Sequence, residues 1–269
     1  MTERLQYALC ELDDLELSAR GESPLHRLDA RAKLLTTGVY LLVMLSVPLT
    51  RLSEILLYAL FPMLTAMRAH IQLATLLRRS LAVLPFAALI GIFNLFYDRT
   101  PLFRIGPLVV TAGATTFAAI LLRGLLSMQA LLLLIGTTGF YGICRALQQA
   151  GAPRFFTTQL LFVYRYLRLM IDEALRMSQA CRARSFGRRH PPLRVWGPMI
   201  GQLLLRTFDR AEQIHRAMAA RGFTGRMPDL AGRPPHWRWA DTLFLGGWSA
   251  ALLLARCTCP VETLTRLFL

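Results

Sequence analysis

Lysine is almost missing from this 269-residue chain: Lys33 stands alone against thirty arginines. Acidic residues are also few, 16 against 31 basic, for a formal net charge of +15. The lack of lysine has a direct consequence. A P-loop needs Gly-x-x-x-x-Gly-Lys-Ser/Thr to cradle phosphates. Lys33 lies in Ala30-Arg31-Ala32-Lys33 with no glycine beside it, so the chain supplies no ATP site of that type. Cysteine adds no framework: Cys10, Cys144, Cys181, Cys257 and Cys259 form no C-x-x-C pair and are odd in number. The histidines at 26, 70, 190, 215 and 236 are scattered without metal-ligand spacing. No resident metal and no cofactor is expected.

Charge of either sign is short overall. Charged residues make up 17% and hydrophobic ones 54%, whereas a soluble domain carries about 25% charged. Disordered, collagen-like and ordinary soluble enzyme classes are excluded, and a polytopic membrane protein is expected. The first 29 residues hold seven acids, from Glu3 to Asp29. A signal peptide begins basic and turns apolar, so this segment is expected to stay in the mature protein. Leu5, Leu9, Leu12 and Leu15 near helical spacing suggest a short amphipathic helix.

A spanning helix needs about 20 apolar residues, fewer when flanking basic side chains snorkel. Leu34–Leu49, Ile55–Met67, Leu81–Tyr97 and Thr242–Ala255 are such runs. The stretch from Ile105 to Ile143, with Arg123 as its one charge, has three readings. It is one overlong helix, or two helices turning at Arg123-Gly124, or an extended Ile105–Thr111 followed by a helix from near Gly113 to near Gly139. The positive-inside rule arbitrates. Arg31 and Lys33 mark the N-terminus as cytoplasmic, and Arg78 and Arg79 mark the second short loop. Residues 145–238 hold 17 arginines and 5 acids. One crossing between Ile105 and Ile143 keeps this basic region on the same side, and is preferred. Arg123 then faces protein, because an intramembrane arginine is costly. Five spans result, with six as the alternative. The division expected is 1–33 N-terminal segment, 34–143 transmembrane bundle, 144–239 cytoplasmic region, and 240–269 last span and tail.

Within the basic region the hydrophobic period changes. Leu160, Val163, Leu167, Met170, Ile171 and Ala174 line one helical face, and Arg165, Arg168, Asp172 and Arg176 the other. Asp172 and Arg176 stand at i,i+4, and Gly187 is the expected stop. A second amphipathic helix is expected after Pro198, with Leu204 and Phe208 on its apolar face and Glu212–Arg216 at i,i+4. Leu167, Ile171, Leu204 and Phe208 are the expected packing residues. The helices end alike, in Ala183-Arg184-Ser185-Phe186 and Ala220-Arg221-Gly222-Phe223, with the arginines 37 residues apart. A lone arginine at a helix C-terminus merely complements the macrodipole. Two in the same setting point to two equivalent projections made for two equivalent sockets.

These residues resemble a known family. The segment Ser23-Pro24-Leu25-His26-Arg27-Leu28-Asp29-Ala30-Arg31-Ala32-Lys33-Leu34, the run Leu161–Tyr166, Asp172-Glu173-Ala174, Arg182–Gly187 and Met218–Phe223 are similar to those of T components of energy-coupling-factor transporters, CbiQ type. Ala30 departs from the proline common after Leu-Asp. The resemblance implies an all-α polytopic membrane protein with cytoplasmic coupling helices. It implies that Arg184, with Ala183 and Ser185, docks on one cytoplasmic ABC ATPase subunit. Arg221, with Ala220 and Gly222, docks on a second. It also implies a membrane substrate-capture subunit (CbiM-like), a small accessory membrane subunit, a bacterial inner-membrane location and cobalt as cargo, with nickel or a vitamin as alternatives. The chain itself would hydrolyse nothing. From another class, a membrane enzyme acting on lipid phosphates would use clustered acids for metal or base; Asp13-Asp14 and Asp172-Glu173 are the only acidic doublets. Nucleic acid is not an expected partner, since no recognised binding motif accompanies the charge.

Overall fold

The computed structural model describes residues 21, 23–49, 52–97, 101–105, 108–184, 193–223 and 237–258. The N-terminal amphipathic segment expected at residues 5–15 lies outside them. Asp29 opens the first helix, α1 (Ala30–Ser46), by accepting from the Arg31 amide at 3.0 Å. An aspartate in extended backbone is a favoured N-cap because it satisfies an amide that the helix leaves orphaned.

The run expected as Ile55–Met67 is broken into α2 (Leu52–Leu57) and α3 (Leu60–Ala69). Pro62 explains the break: it has no N–H for the carbonyl four residues back, at Tyr58, and its ring crowds that carbonyl. The Tyr58 oxygen instead accepts from the Phe61 amide at 3.3 Å and from the Tyr40 hydroxyl at 3.2 Å. The next run begins earlier than expected, as α4 (Leu73–Ser80). It passes through a 3₁₀ turn (Leu81–Val83) into α5 (Leu84–Tyr97). Pro85 cannot donate to the Leu81 carbonyl, which is instead taken by the Leu84 amide in the tighter pattern.

Between α5 and the following helix the chain makes an antiparallel hairpin, β1 (Pro101–Ile105) and β2 (Leu108–Thr111). The fold is all-α as expected, with this short hairpin as the connection between two helices. β-branched residues between 105 and 111 favour extended backbone, as one of the three readings of this stretch supposed. Helix α6 (Ala112–Gln149) then runs without a turn at Arg123-Gly124, which removes the two-helix reading. Its one break is at Gly139, with φ 69° and ψ 160°, a conformation open to glycine alone. Two long helices follow, α7 (Arg154–Arg184) and α8 (Leu193–Ala220), and finally α9 (Trp239–Thr258). Leu73–Leu95 and Ala112–Gln149 are the two helical stretches, among the described residues, long and apolar enough to cross a membrane.

The chain divides into two compact units. One holds α1 to α5, the hairpin, α6 up to Ile143, and α9; the other holds the end of α6 with α7 and α8. The core of the first unit is an aromatic column. Tyr40 of α1 stacks on Phe61 of α3 at 4.5 Å, and Phe61 meets Trp248 of α9 edge-on at 4.9 Å. Val43, Met44, Ile55 and Leu252 close around it, with Ala119, Leu126 and Ala130 from α6. Gly91 lets α5 approach α6, since a Cβ there would come within 2.8 Å of Phe117.

Polar clamps fix both ends of α1. At its start, the Asp29 amide donates to Asp241 of α9 at 2.8 Å, and the other Asp241 oxygen accepts from the Arg238 amide at 2.7 Å. Asp241 is thus the acidic N3 residue of α9, reaching back to its own cap while holding a second helix. Lys33, 5% exposed, donates to the Thr137 carbonyl of α6 at 2.9 Å. At the far end, Arg256 donates to the Ser46 carbonyl at 3.2 Å, and Arg123 to the Val47 carbonyl at 2.5 Å. Arg123 therefore faces protein, with its Nε buried and lacking a hydrogen-bond partner among the described residues.

Replacing Asp241 by Ala should strand two amides, at about 1–3 kcal/mol for each left buried. The expected reading is a lower thermal midpoint of the full chain in detergent, with Asp241→Asn, which keeps one acceptor oxygen, falling between the two.

Candidate docking site

The second unit carries the residues that pattern singled out. Helix α8 starts at Leu193, ahead of the position expected after Pro198, and includes that proline. One proline costs one backbone bond, here at the Arg194 carbonyl, and a helix this long tolerates it as a kink point. Helix α7 is continuous from Arg154 to Arg184, with Arg182 and Arg184 in its last turn. The expected stop at Gly187 lies outside the described residues, as does Ser185.

Ala183 and Arg184 are exposed at the end of α7, and Ala220 and Arg221 are exposed at the end of α8. The second end is geometrically resolved. The Phe223 amide donates to the Met218 carbonyl at 3.0 Å and the Gly222 amide to the Ala219 carbonyl at 2.9 Å. This pair of bonds is a Schellman cap. It requires the residue after Arg221 to be left-handed, and Gly222 has φ 76°. The glycine is therefore structural, and its effect is to hold Arg221 as the capping residue on a rigid backbone. Arg221 is thus positioned by a hydrogen-bonded turn rather than carried on a loose loop.

Between the two helices, Glu173 of α7 takes two donors. Arg176 reaches it from one turn on, at 2.7 Å, and Arg206 reaches it from α8. The expected partner of Arg176 was Asp172; the guanidinium goes instead to Glu173, at i,i+3, because that carboxylate also faces α8. The Arg176 and Arg206 hydrogen bonds, the former first, hold the Glu173 carboxyl below the usual range. Glu212 and Arg216 pair at i,i+4 as expected, on an exposed face of α8. Exposed pairs of this kind add little stability, so Glu173–Arg206 matters for register between helices more than for energy.

The four expected packing residues lie on faces that the chain itself leaves largely open. Phe208 is 62% exposed, Leu204 53% and Leu167 41%, and Ile171 is half-buried. Ile200, Leu204 and Phe208 repeat every fourth residue and form one apolar stripe along α8. Thr157, Leu175 and Ser178 are the buried positions of α7 instead. An apolar stripe on a charged helix is the form taken by a groove-binding or helix-docking element. Among the described residues, no group of three or more His, Cys, Asp or Glu side chains converges as a metal site would.

Pattern reading missed two features. The Glu173–Arg206 tie joins residues 33 apart, which no local rule reaches. The Asp29–Asp241 clamp joins residues 212 apart, although an acid three positions after a helix cap is a signal that could have marked Asp241.

Comparison with known proteins gives the family. A family model described as cobalt transport protein, CbiQ, matches residues 21–230. The cobalt transport protein CbiQ of Rhodobacter capsulatus is 31% identical over 135 residues, covering 50% of this chain and 54% of that one. The nickel permease LarQ of Lactiplantibacillus plantarum is 30% identical over 102 residues, covering 38% of this chain and 37% of that one. The chain thus aligns with about half or less of the length of these curated relatives.

Two outcomes follow from the geometry. Gly222→Val should cost about 1–2 kcal/mol through its left-handed backbone, read as faster amide exchange over the last turn of α8. Glu173 has a depressed folded value, so its tie is present above the unfolded carboxyl value near ~4.3 and is lost as pH falls through the folded one. Amide protection in α7 and α8, taken relative to intrinsic exchange at each pH, should therefore fall on acidification in the wild type, and Glu173→Gln should show the lower protection already at neutral pH.

Proposed function

The chain belongs to the CbiQ cobalt transport protein family, and from this premise we propose that it is the transmembrane coupling subunit of an energy-coupling-factor importer. Two cytoplasmic ATPase subunits would seat on Arg184 and Arg221, and a membrane capture subunit (CbiM-like), with a small accessory membrane subunit, would hold the cargo. The observation that carries this reading is the matched pair of exposed arginines at the ends of two touching amphipathic helices. A guanidinium suits the task. It is planar, always charged, and can grip a carboxylate with two bonds.

In this reading ATP binding draws the two ATPase subunits together. Each arginine moves with its socket, and α7 and α8 act as levers on the membrane helices. The apolar stripe Ile200-Leu204-Phe208 on α8, with Leu167 and Ile171 on α7, supplies the area over which motion passes to the partners. The five spans we assign are α1, α2 with α3, α4 with α5, α6, and α9. The N-terminus and the arginine-bearing loops face the cytoplasm of a bacterial inner membrane. The cargo we assign is cobalt; nickel is the second reading, favoured by the relative named as a nickel permease. The metal is substrate, and we place its site on the capture subunit.

Removing one partner of a desolvated charge pair costs about 2–5 kcal/mol in binding. Arg184→Glu and Arg221→Glu should each reduce co-purification of one ATPase subunit and abolish ATP-driven uptake in reconstituted vesicles. Retained complexes and unchanged uptake in both variants would overturn the docking assignment. Parallel uptake of cobalt and nickel by the wild-type complex separates the two cargo readings.

A further inference from the structure

A groove of about 560 Å³ lies in the first unit, between the segment that precedes α1, the end of α3 and the outer face of α9. Leu28, Leu243, Phe244, Trp248 and Gly247 make it apolar, and Arg68 is the one charged residue of its lining. We infer that this groove is a binding site for an anionic phospholipid, with the headgroup phosphate on Arg68 and an acyl chain along α9.

Three observations lead there. Arg68 is exposed in the last turn of α3, and among the described residues no carboxylate pairs with it. A lone guanidinium at the edge of an apolar slot matches a ligand with one anionic end and a hydrocarbon remainder. Second, a Cβ added at Gly246 or Gly247 would meet no atom within 4 Å. Glycine in a helix interior is destabilising, and here no neighbouring protein atom requires it. Space at that point serves something that the chain does not contain. Third, the groove reaches Ala240 in the first turn of α9, beside Trp237 and Trp239, which are 44% and 84% exposed. Exposed tryptophans at a helix start mark the depth of the membrane interface, where a headgroup lies. Trp248 forms the deeper wall, held edge-on against Phe61.

The choice of an anionic lipid rests on the orientation given under Proposed function. The groove opens at the end where α1 and α9 begin, the end assigned to the cytoplasm, and that leaflet is the anionic one. A partner helix would fill the same slot without needing Arg68.

The test uses the full-length chain in nanodiscs of phosphatidylglycerol and phosphatidylethanolamine in equal amounts, with bound lipid counted by native mass spectrometry. The wild type should retain phosphatidylglycerol preferentially. Arg68→Gln should lower that preference about fivefold, the worth of one arginine near an anionic surface. Gly247→Leu, whose side chain has room to stand in the groove, should displace both lipids without lowering the thermal midpoint of the delipidated protein. Equal retention of both lipids by the wild type, or an undiminished preference in Arg68→Gln, would overturn the inference. So would a lipid count that Gly247→Leu leaves unchanged, an inorganic phosphate adduct in place of lipid, or a photo-crosslinker at position 247 that captures a partner subunit in the assembled complex. Co-purification of ATPase subunits is scored separately: its loss with lipid retained fails only the transporter reading, and the reverse fails only the lipid site.

Discussion

A helix leaves amides without partners at its start and carbonyls without partners at its end. Inside a packed protein, such groups must find partners. The first unit depends on how this constraint is met for α1. Its start is closed by Asp29 and shared with α9 through Asp241; its end is closed by Arg123 from α6 and Arg256 from α9. The charges are arranged with the macrodipole, carboxylates at the amide end and guanidinium groups at the carbonyl end. One helix thereby becomes the axle to which α6 and α9 are fixed. Tyr40, at its middle, adds a side-chain donor to the Tyr58 carbonyl, which Pro62 cannot reach and the Phe61 amide shares. The aromatic column then packs around a backbone whose polar groups are already satisfied.

The second unit is built on different terms. Its helices are long, charged and amphipathic, and they touch each other through Glu173 and Arg206 rather than through a large apolar core. Much of their apolar surface is open, Phe208 and Leu204 most of all. Exposed apolar stripes of this kind are unusual on a surface that faces only water. The cap behind Arg221 is, by contrast, locally ordered by its two backbone hydrogen bonds and the left-handed Gly222.

What could be read from residues alone was whatever has a short period. Helical faces and the extended stretch before α6 follow from spacing within a few turns, and the structure has α6 beginning at Ala112 accordingly; the Ala-Arg ends, 37 residues apart, were legible as a repeated motif. Proline effects were legible only in part. Pro62 and Pro85 stand where helices are interrupted and Pro198 lies within a continuous one, a difference that local sequence does not carry. The clamps were not legible. Asp29 and Asp241 are joined only once α1 and α9 are side by side, and Arg176 chose Glu173 over Asp172 because α8 supplies a second arginine there. Such pairings are properties of two elements together, and periodicity describes one at a time.

The scarcity of lysine acquires a chemical meaning once Lys33 is seen buried against the Thr137 carbonyl. Every other fixed positive side chain is a guanidinium, and a guanidinium does not release its proton below about pH 12. The electrostatic field of the basic surface is therefore insensitive to pH from acid to strongly alkaline conditions, apart from the few histidines. A cell whose internal pH drifts would change the charge on carboxylates and imidazoles of any partner long before it changed this one. Amine-directed reagents, which modify most proteins broadly, would find no exposed lysine among the described residues to attack.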